Sequence, residues 1–148
     1  MTASDAGTVR MERRYEVPIE RVFDYLTRPE LLARWWGPEQ IVGVEGDLDL
    51  RHIGPWNSVM IDAAGGRFPV SGQVTRVERP TLLAFTWGWH GADGARGHES
   101  HVMVELGTES GATRLVLTHR DLPDVDQVAR HAQGWASTLR KLDAAITH

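Results

Sequence analysis

The chain has no cysteine. Disulfides, thiol nucleophiles and thiolate metal sites are therefore excluded. It has no apolar run long enough to cross a bilayer. The opening stretch, Met1 to Gly7, is polar and lacks the apolar region of a secretory signal. Together these absences lead to the expectation of a cytoplasmic protein with a disordered start over residues 1–7 and one domain over residues 8–148. A basic run is also missing. The 16 Lys and Arg residues are outnumbered by 20 Asp and Glu, a formal net charge of −4, which argues against a nucleic-acid partner. There is no nucleophile elbow, no phosphate-cradling glycine loop and no H-E-x-x-H helix. No pair of carboxylates has a spacing that demands acid–base work, and nothing calls for a cofactor. Tyrosine and phenylalanine are scarce, with two and three copies, against six tryptophans. Trp35, Trp36, Trp56, Trp87, Trp89 and Trp135 are scattered, so only folding can bring them together.

What is present is an ordinary globular composition, 41% hydrophobic and 24% charged over 148 residues, enough for one domain with a real core. The most informative stretch is the last, about 123 to 146. Val128, Ala132, Trp135, Leu139, Leu142 and Ile146 fall at helical steps on one stripe. The other faces carry Arg130, Gln133, Thr138, Arg140, Lys141 and Asp143. A helix of this kind must bury its stripe, and nearly everything before it reads as strand.

Thr8 to Val17 alternates and predicts a first strand with one wet face. Pro18 stops it and opens a helix with Ile19, Val22, Phe23 and Leu26 as its stripe. Pro29 starts a second short helix through Trp35, ended by Gly37-Pro38. Strand texture follows over Ile41 to Glu45, Asp47 to Ile53, and Trp56 to Asp62 after a break at Gly54-Pro55. Phe68 to Glu78 alternates with a slip before Val77. Leu82 to His90 puts Leu83, Phe85, Trp87 and Trp89 on one face. Two more strands, His101 to Leu106 and Thr113 to His119, complete an antiparallel meander joined by short turns. So long a meander must curl, and the last helix is the element available to plug it. The loop Gly91 to Gly97, with three glycines, reads as a mobile hairpin lid.

The residues also resemble a known family in order. Arg14 with Val17-Pro18 and Val22-Phe23, then Pro29-Glu30-Leu31 leading into Ala33-Arg34-Trp35-Trp36-Gly37-Pro38, match its start. Asp49-Leu50-Arg51 with Gly54 is similar to its D-x-R-x-G-G segment, although Ile53 replaces the first of the paired glycines. Arg79-Pro80, Phe85-Thr86-Trp87, Gly111 to His119, and Gly134-Trp135 with Leu139 and Leu142 complete the series. The chain thus resembles the SRPBCC superfamily, in the branch homologous to the Hsp90 ATPase activator C-terminal domain. That resemblance implies an α+β helix-grip (START/Bet v 1-like) fold. A curved antiparallel sheet of about six to seven strands would surround the long C-terminal helix, with two short helices after the first strand.

Such a fold implies a cavity between helix and sheet for a small, largely apolar molecule. The candidates for its lining are Trp36, Arg51, Trp56, Phe85, Trp87, Trp89, His119, Trp135 and Leu139. Each has a plainer reading. The aromatics and Leu139 suit a core. His119, on the Leu115–Leu117 face, suits a hydrogen-bonded buried histidine. Arg51, two residues from Asp49 and hence on the same strand face, suits an ion pair as well as a ligand carboxylate. Trp35 and Trp36 are adjacent and cannot both point inward from one helix. His90, His98, His101 and His119 approach one another in a meander. A metal site needs three or four convergent ligands, which they do not promise, so no metal is expected. Three functions remain: ligand binding, a cyclase or hydrolase of the polyketide-cyclase type, and an Hsp90-related stress co-chaperone. An enzyme should converge polar groups inside, such as His119 with Arg51 or Asp49. A co-chaperone should expose an apolar patch on the outer sheet face. Pairing of copies into a homodimer is left open by the sequence.

Overall fold

The computed structural model describes residues 7–147. Seven strands form one antiparallel sheet in the order β1-β7-β6-β5-β4-β3-β2. They are β1 (Val9–Tyr15), β2 (Ile41–Glu45), β3 (Gly54–Asp62), β4 (Arg67–Glu78), β5 (Leu82–Trp89), β6 (Ser100–Glu109) and β7 (Ala112–Arg120). Helices α1 (Ile19–Thr27) and α2 (Pro29–Leu32) lie between β1 and β2, and α3 (Val125–Ile146) ends the chain. The helix-grip expectation is met, with seven strands. Among the described residues no helix is long and apolar enough to cross a membrane. The expected disordered start falls mostly on residues 1–6, outside the described residues. Gly7 is described, and its carbonyl accepts from the Leu122 amide at 3.0 Å.

The strands form where polar and apolar residues alternate, because a sheet with one wet face rewards that pattern. In β7, Leu115, Leu117 and His119 are buried while Arg114, Val116 and Thr118 are not. The slip foreseen in β4 is a register shift between Val74 and Arg76, which returns Val77 to a position opposite Leu83. Three local expectations fail. Gly54-Pro55 is not a break: both residues pair with β4 at Val74 and Gln73. Asp47 to Ile53 is not a strand. It buries Leu48 and Leu50 and exposes Arg51, but in its backbone bonds Leu50 N donates to Thr27 O and Asp47 O accepts from Asn57 N. Trp35 and Trp36 are both buried, at 3% and 2% exposure. This is feasible because α2 ends at Leu32, so the two side chains need not follow helical directions. Their indoles donate apart, Trp35 Nε1 to Tyr25 O at 2.9 Å and Trp36 Nε1 to Ser58 Oγ at 3.0 Å.

Asp124 caps α3, its side chain accepting from Gln127 N at 2.8 Å. Leu139, Leu142 and Ile146 are at most 1% exposed and join the core with Leu26, Leu115 and Leu117. Val128 and Ala132, further up the stripe, are only partly buried. Thr138, assigned to an outer face by the periodicity, is 4% exposed and bonds its own helix at Gly134 O, 2.7 Å. The C-terminal half of α3 is thus core. The N-terminal half is less buried and leaves space beside the sheet.

Candidate ligand cavity

The space left by that half is a cavity of about 420 Å³, within the size range of small-molecule sites. The helix contributes Gln127, Arg130, His131, Gly134, Trp135 and Thr138. Their steps are helical, on a stripe turned slightly from the core stripe. The sheet contributes Met60, Phe68, Trp87 and Trp89, and the turn after α2 contributes Trp36, Gly37 and Pro38. Arg130, Phe68 and Trp89 are exposed, which sets the mouth. Gly134 faces free space: a Cβ built there has no heavy atom within 4 Å. Glycine inside a helix costs about 1 kcal/mol relative to alanine, so this position trades stability for room.

The aromatic walls are fixed by hydrogen bonds running away from the cavity. Trp135 Nε1 donates to His119 Nδ1 at 2.9 Å. An indole can only donate, so Nδ1 is the bare nitrogen and Nε2 carries the proton. His119 Nε2 then donates to Ser100 Oγ at 2.7 Å, and Ser100 Oγ donates to Trp87 O at 3.3 Å. His131 has the opposite tautomer: Trp89 Nε1 donates to its Nε2 at 3.1 Å, and its Nδ1 donates to Gln127 O at 2.7 Å. The two imidazoles meet edge to face with centroids 4.9 Å apart. Burial, then the neighbouring His131 and His101, pushes the His119 pKa down to about 3. Burial also lowers that of His131, partly opposed by its bond to Gln127. Both rings are neutral near pH 7.

One edge of the cavity is tied to α3 by charge. Lys141 Nζ lies 3.2–3.5 Å from the carbonyls of Trp36, Gly37, Pro38 and Ile41. Burial lowers its pKa, partly offset by Glu39. Glu39 accepts from Arg140 Nη2 at 2.8 Å and from Ser137 Oγ at 3.2 Å. Gly37 turns the chain here with φ +85°, and a Cβ would press on Ile41 and the Met60 sulfur at 3.0–3.1 Å.

The model of the family described as "Activator of Hsp90 ATPase homolog 1-like protein" (AHSA1) matches residues 16–147. The chain belongs to this family. Among solved structures, the AHSA1 protein from Silicibacter pomeroyi is 46% identical with a TM-score of 0.89, over 95% of this chain and 99% of that one. A protein from Chromobacterium violaceum is 22% identical with a TM-score of 0.84, over 95% and 96% of the two chains. One from Arthrobacter aurescens is 20% identical with a TM-score of 0.86, over 99% and 90%. These last two share the fold. No curated protein matches the chain.

In this AHSA1-family chain the nine sequence-derived candidates separate into three groups. Trp36, Trp87, Trp89 and Trp135 line the cavity. Trp56, Phe85, Leu139 and His119 do not. Trp56 and Phe85 pack behind Trp36 and Trp87, with centroids 5.6–6.5 Å apart, Leu139 is core, and His119 is fully buried behind Trp135. Arg51 lies apart from both groups. It is exposed and forks onto Asp49, with Nε to Oδ1 at 2.9 Å and Nη2 to Oδ2 at 2.7 Å. That bond holds the Asp49 carboxyl below its usual range. The pair is local because the segment is a loop, so it reaches neither a neighbouring strand nor the cavity. Sequence reasoning missed Met60, Phe68, Gln127, Arg130, His131 and Gly134. The helical repeat Gln127, Arg130, His131, Gly134 was readable but mixes charge, glycine and polar groups, so it scores as surface.

The other histidines scatter. His90 meets Ser71 and Gly94 O, His98 meets Asp121 O, and His101 meets Asp121 Oδ2 at 2.8 Å. Among the described residues no three His, Asp or Glu side chains could hold a metal ion. The glycine loop expected as a lid does not line the cavity. Arg96 straps it down, donating to Ser71 Oγ, Ser71 O and Glu99 Oε1 at 3.0–3.2 Å.

Proposed function

We propose that this protein binds a small, largely apolar molecule in the cavity beneath the N-terminal half of α3. The observation that carries the reading is the cavity: it is walled by Trp36, Trp87, Trp89, Trp135, Phe68 and Met60, with a few polar groups along one helix. Such a mix suits ligand sites, where apolar walls give affinity and sparse polar groups give orientation. Membership of a family that includes ligand-binding homologues supports it. The polar pairings that would favour a cyclase or hydrolase are not assembled, since His119 and Arg51 lie apart. Ser100 and His119 do touch, but His119 presents a proton to the hydroxyl rather than a lone pair, so it cannot act as its base. The outer face of β1, β7 and β6 carries Arg10, Glu12, Arg114, Glu109 and Glu105, a poor match to the apolar docking face of a co-chaperone.

The test is Gly134→Phe. Its side chain would fill the cavity without displacing core. Isothermal titration with a panel of fatty acids, flavonoids and aromatic acids should find at least one binder to the native protein. That binder should lose at least about tenfold in affinity to the variant, equivalent to about 1.4 kcal/mol, while the melting temperature is kept. A binder with equal affinity for both proteins would place the site elsewhere.

A further inference from the structure

We infer that the ligand is an aromatic carboxylate, held by its anionic end at Arg130 and by its rings among the tryptophans. This rests on the cavity reading above and narrows it. Arg130 is the only residue with a permanently charged side chain in the lining; no carboxylate lines the cavity. Among the described residues its guanidinium enters no hydrogen bond or ion pair, although the chain has an excess of acidic residues and Asp126 sits one turn earlier. Most other arginines are paired, for example Arg51, Arg79, Arg96, Arg114 and Arg140. A free guanidinium at the mouth of an apolar space fits a carboxylate, whose two oxygens match its fork. The rings argue for an aromatic body. Trp36, Trp87, Trp89 and Trp135 offer flat surfaces whose mutual angles of 44–84° suit stacked and edge contacts.

A second donor points the same way. Five of the six indole N–H groups have acceptors. Trp87 Nε1 is buried with none, and Trp87 forms part of the cavity wall. A buried donor without an acceptor costs about 1–3 kcal/mol, and an acceptor oxygen on the ligand would relieve it. Trp87 is surrounded by the rings of Trp36, Trp56, Trp89 and Trp135, with centroids 5.4–5.8 Å away, and its N–H is buried, so pairing requires a local shift. Trp89, edge-on to Trp87 at 5.4 Å and 37% exposed, is the ring with solvent on one side.

Three probes of one size separate the possibilities: 2-naphthoate, 2-naphthamide and 2-naphthylmethylammonium, titrated calorimetrically at pH 7.5. Naphthoate should bind about tenfold tighter than the amide, as expected for a charge-assisted fork, and the ammonium most weakly. Arg130→Gln should erase the naphthoate preference and leave amide affinity and melting temperature unchanged. Arg130→Lys should restore part of it. Trp87→Phe should weaken naphthoate and naphthamide alike. Equal affinity of the native protein for naphthoate and naphthamide would overturn the carboxylate assignment and leave the cavity reading standing. A preference that survives Arg130→Gln would overturn the role of Arg130. If none of the three binds, the aromatic-carboxylate assignment is overturned, while the cavity reading is decided separately by the broad panel and Gly134→Phe.

Discussion

At the scale of the residue, His119 shows how a polar group can serve an apolar site without entering it. Its ring accepts from Trp135 and donates to Ser100, which fixes one cavity wall in place. That arrangement requires the neutral imidazole. Its folded pKa, about 3, lies below the ordinary value of 6.5. The unfolded chain therefore binds the proton first as pH falls. Stability is full above about pH 6.5 and declines between there and pH 3. Each unit of pH in that window costs about 1.4 kcal/mol through His119, so His119 alone removes about 2 kcal/mol by pH 5. The lowered His131 adds to the loss with the same sign. Urea unfolding at pH 7.5 and 5.0 checks this, and His119→Asn should flatten the acid dependence even though it lowers stability at pH 7.5. An unchanged slope in that variant would assign the acid sensitivity to other groups.

At the scale of the element, α3 is two helices in function. Leu139, Leu142 and Ile146 bind it to the sheet, and Leu142→Ala should cost about 2–5 kcal/mol in denaturant unfolding, as buried leucine truncations do. The upper half flanks the cavity and is tied to the sheet by the Trp89–His131 and Trp135–His119 hydrogen bonds. Lys141, in the lower half, ties the cavity's other edge to the helix by reaching four carbonyls of the turn before β2. Lys141→Met should keep the buried stem, lose about 1–3 kcal/mol of charged hydrogen bonding, and speed amide exchange at Gly37 to Ile41 relative to β6 and β7. Much of this was legible in the sequence. The stripe through Trp135 and Leu139 predicted the helix and its partner, because burial of one face imposes a period. What was not legible follows from the same logic. In the upper half of α3 the residues turned to the cavity are polar and only partly buried or exposed, so Gln127, Arg130 and His131 read as solvent-facing. Asp47 to Ile53 alternates like a strand because alternate residues are buried, yet it pairs with none. Arg51 looked like a cavity cation only on the assumption that it was one.

At the scale of the whole molecule, the sheet, the short helices and the lower half of α3 make a closed core, and the site is the region where closure stops. Four scattered tryptophans come together there because a curved sheet brings β5, the turn after α2 and α3 to one end. Their gathering gives the central claim its most direct test. Each indole N–H is a separate probe, so ¹⁵N-labelled protein titrated with 2-naphthoate reports on all six at once. Trp87, Trp89 and Trp135 resonances should move most and Trp36 with them, while Trp35, hydrogen-bonded to Tyr25 O in the core, should stay. Trp87, which has no acceptor in the structure, should move downfield as it gains one. Binding that leaves these four indoles still, or shifts confined to the outer face of β1, β6 and β7, would contradict a ligand site beneath α3.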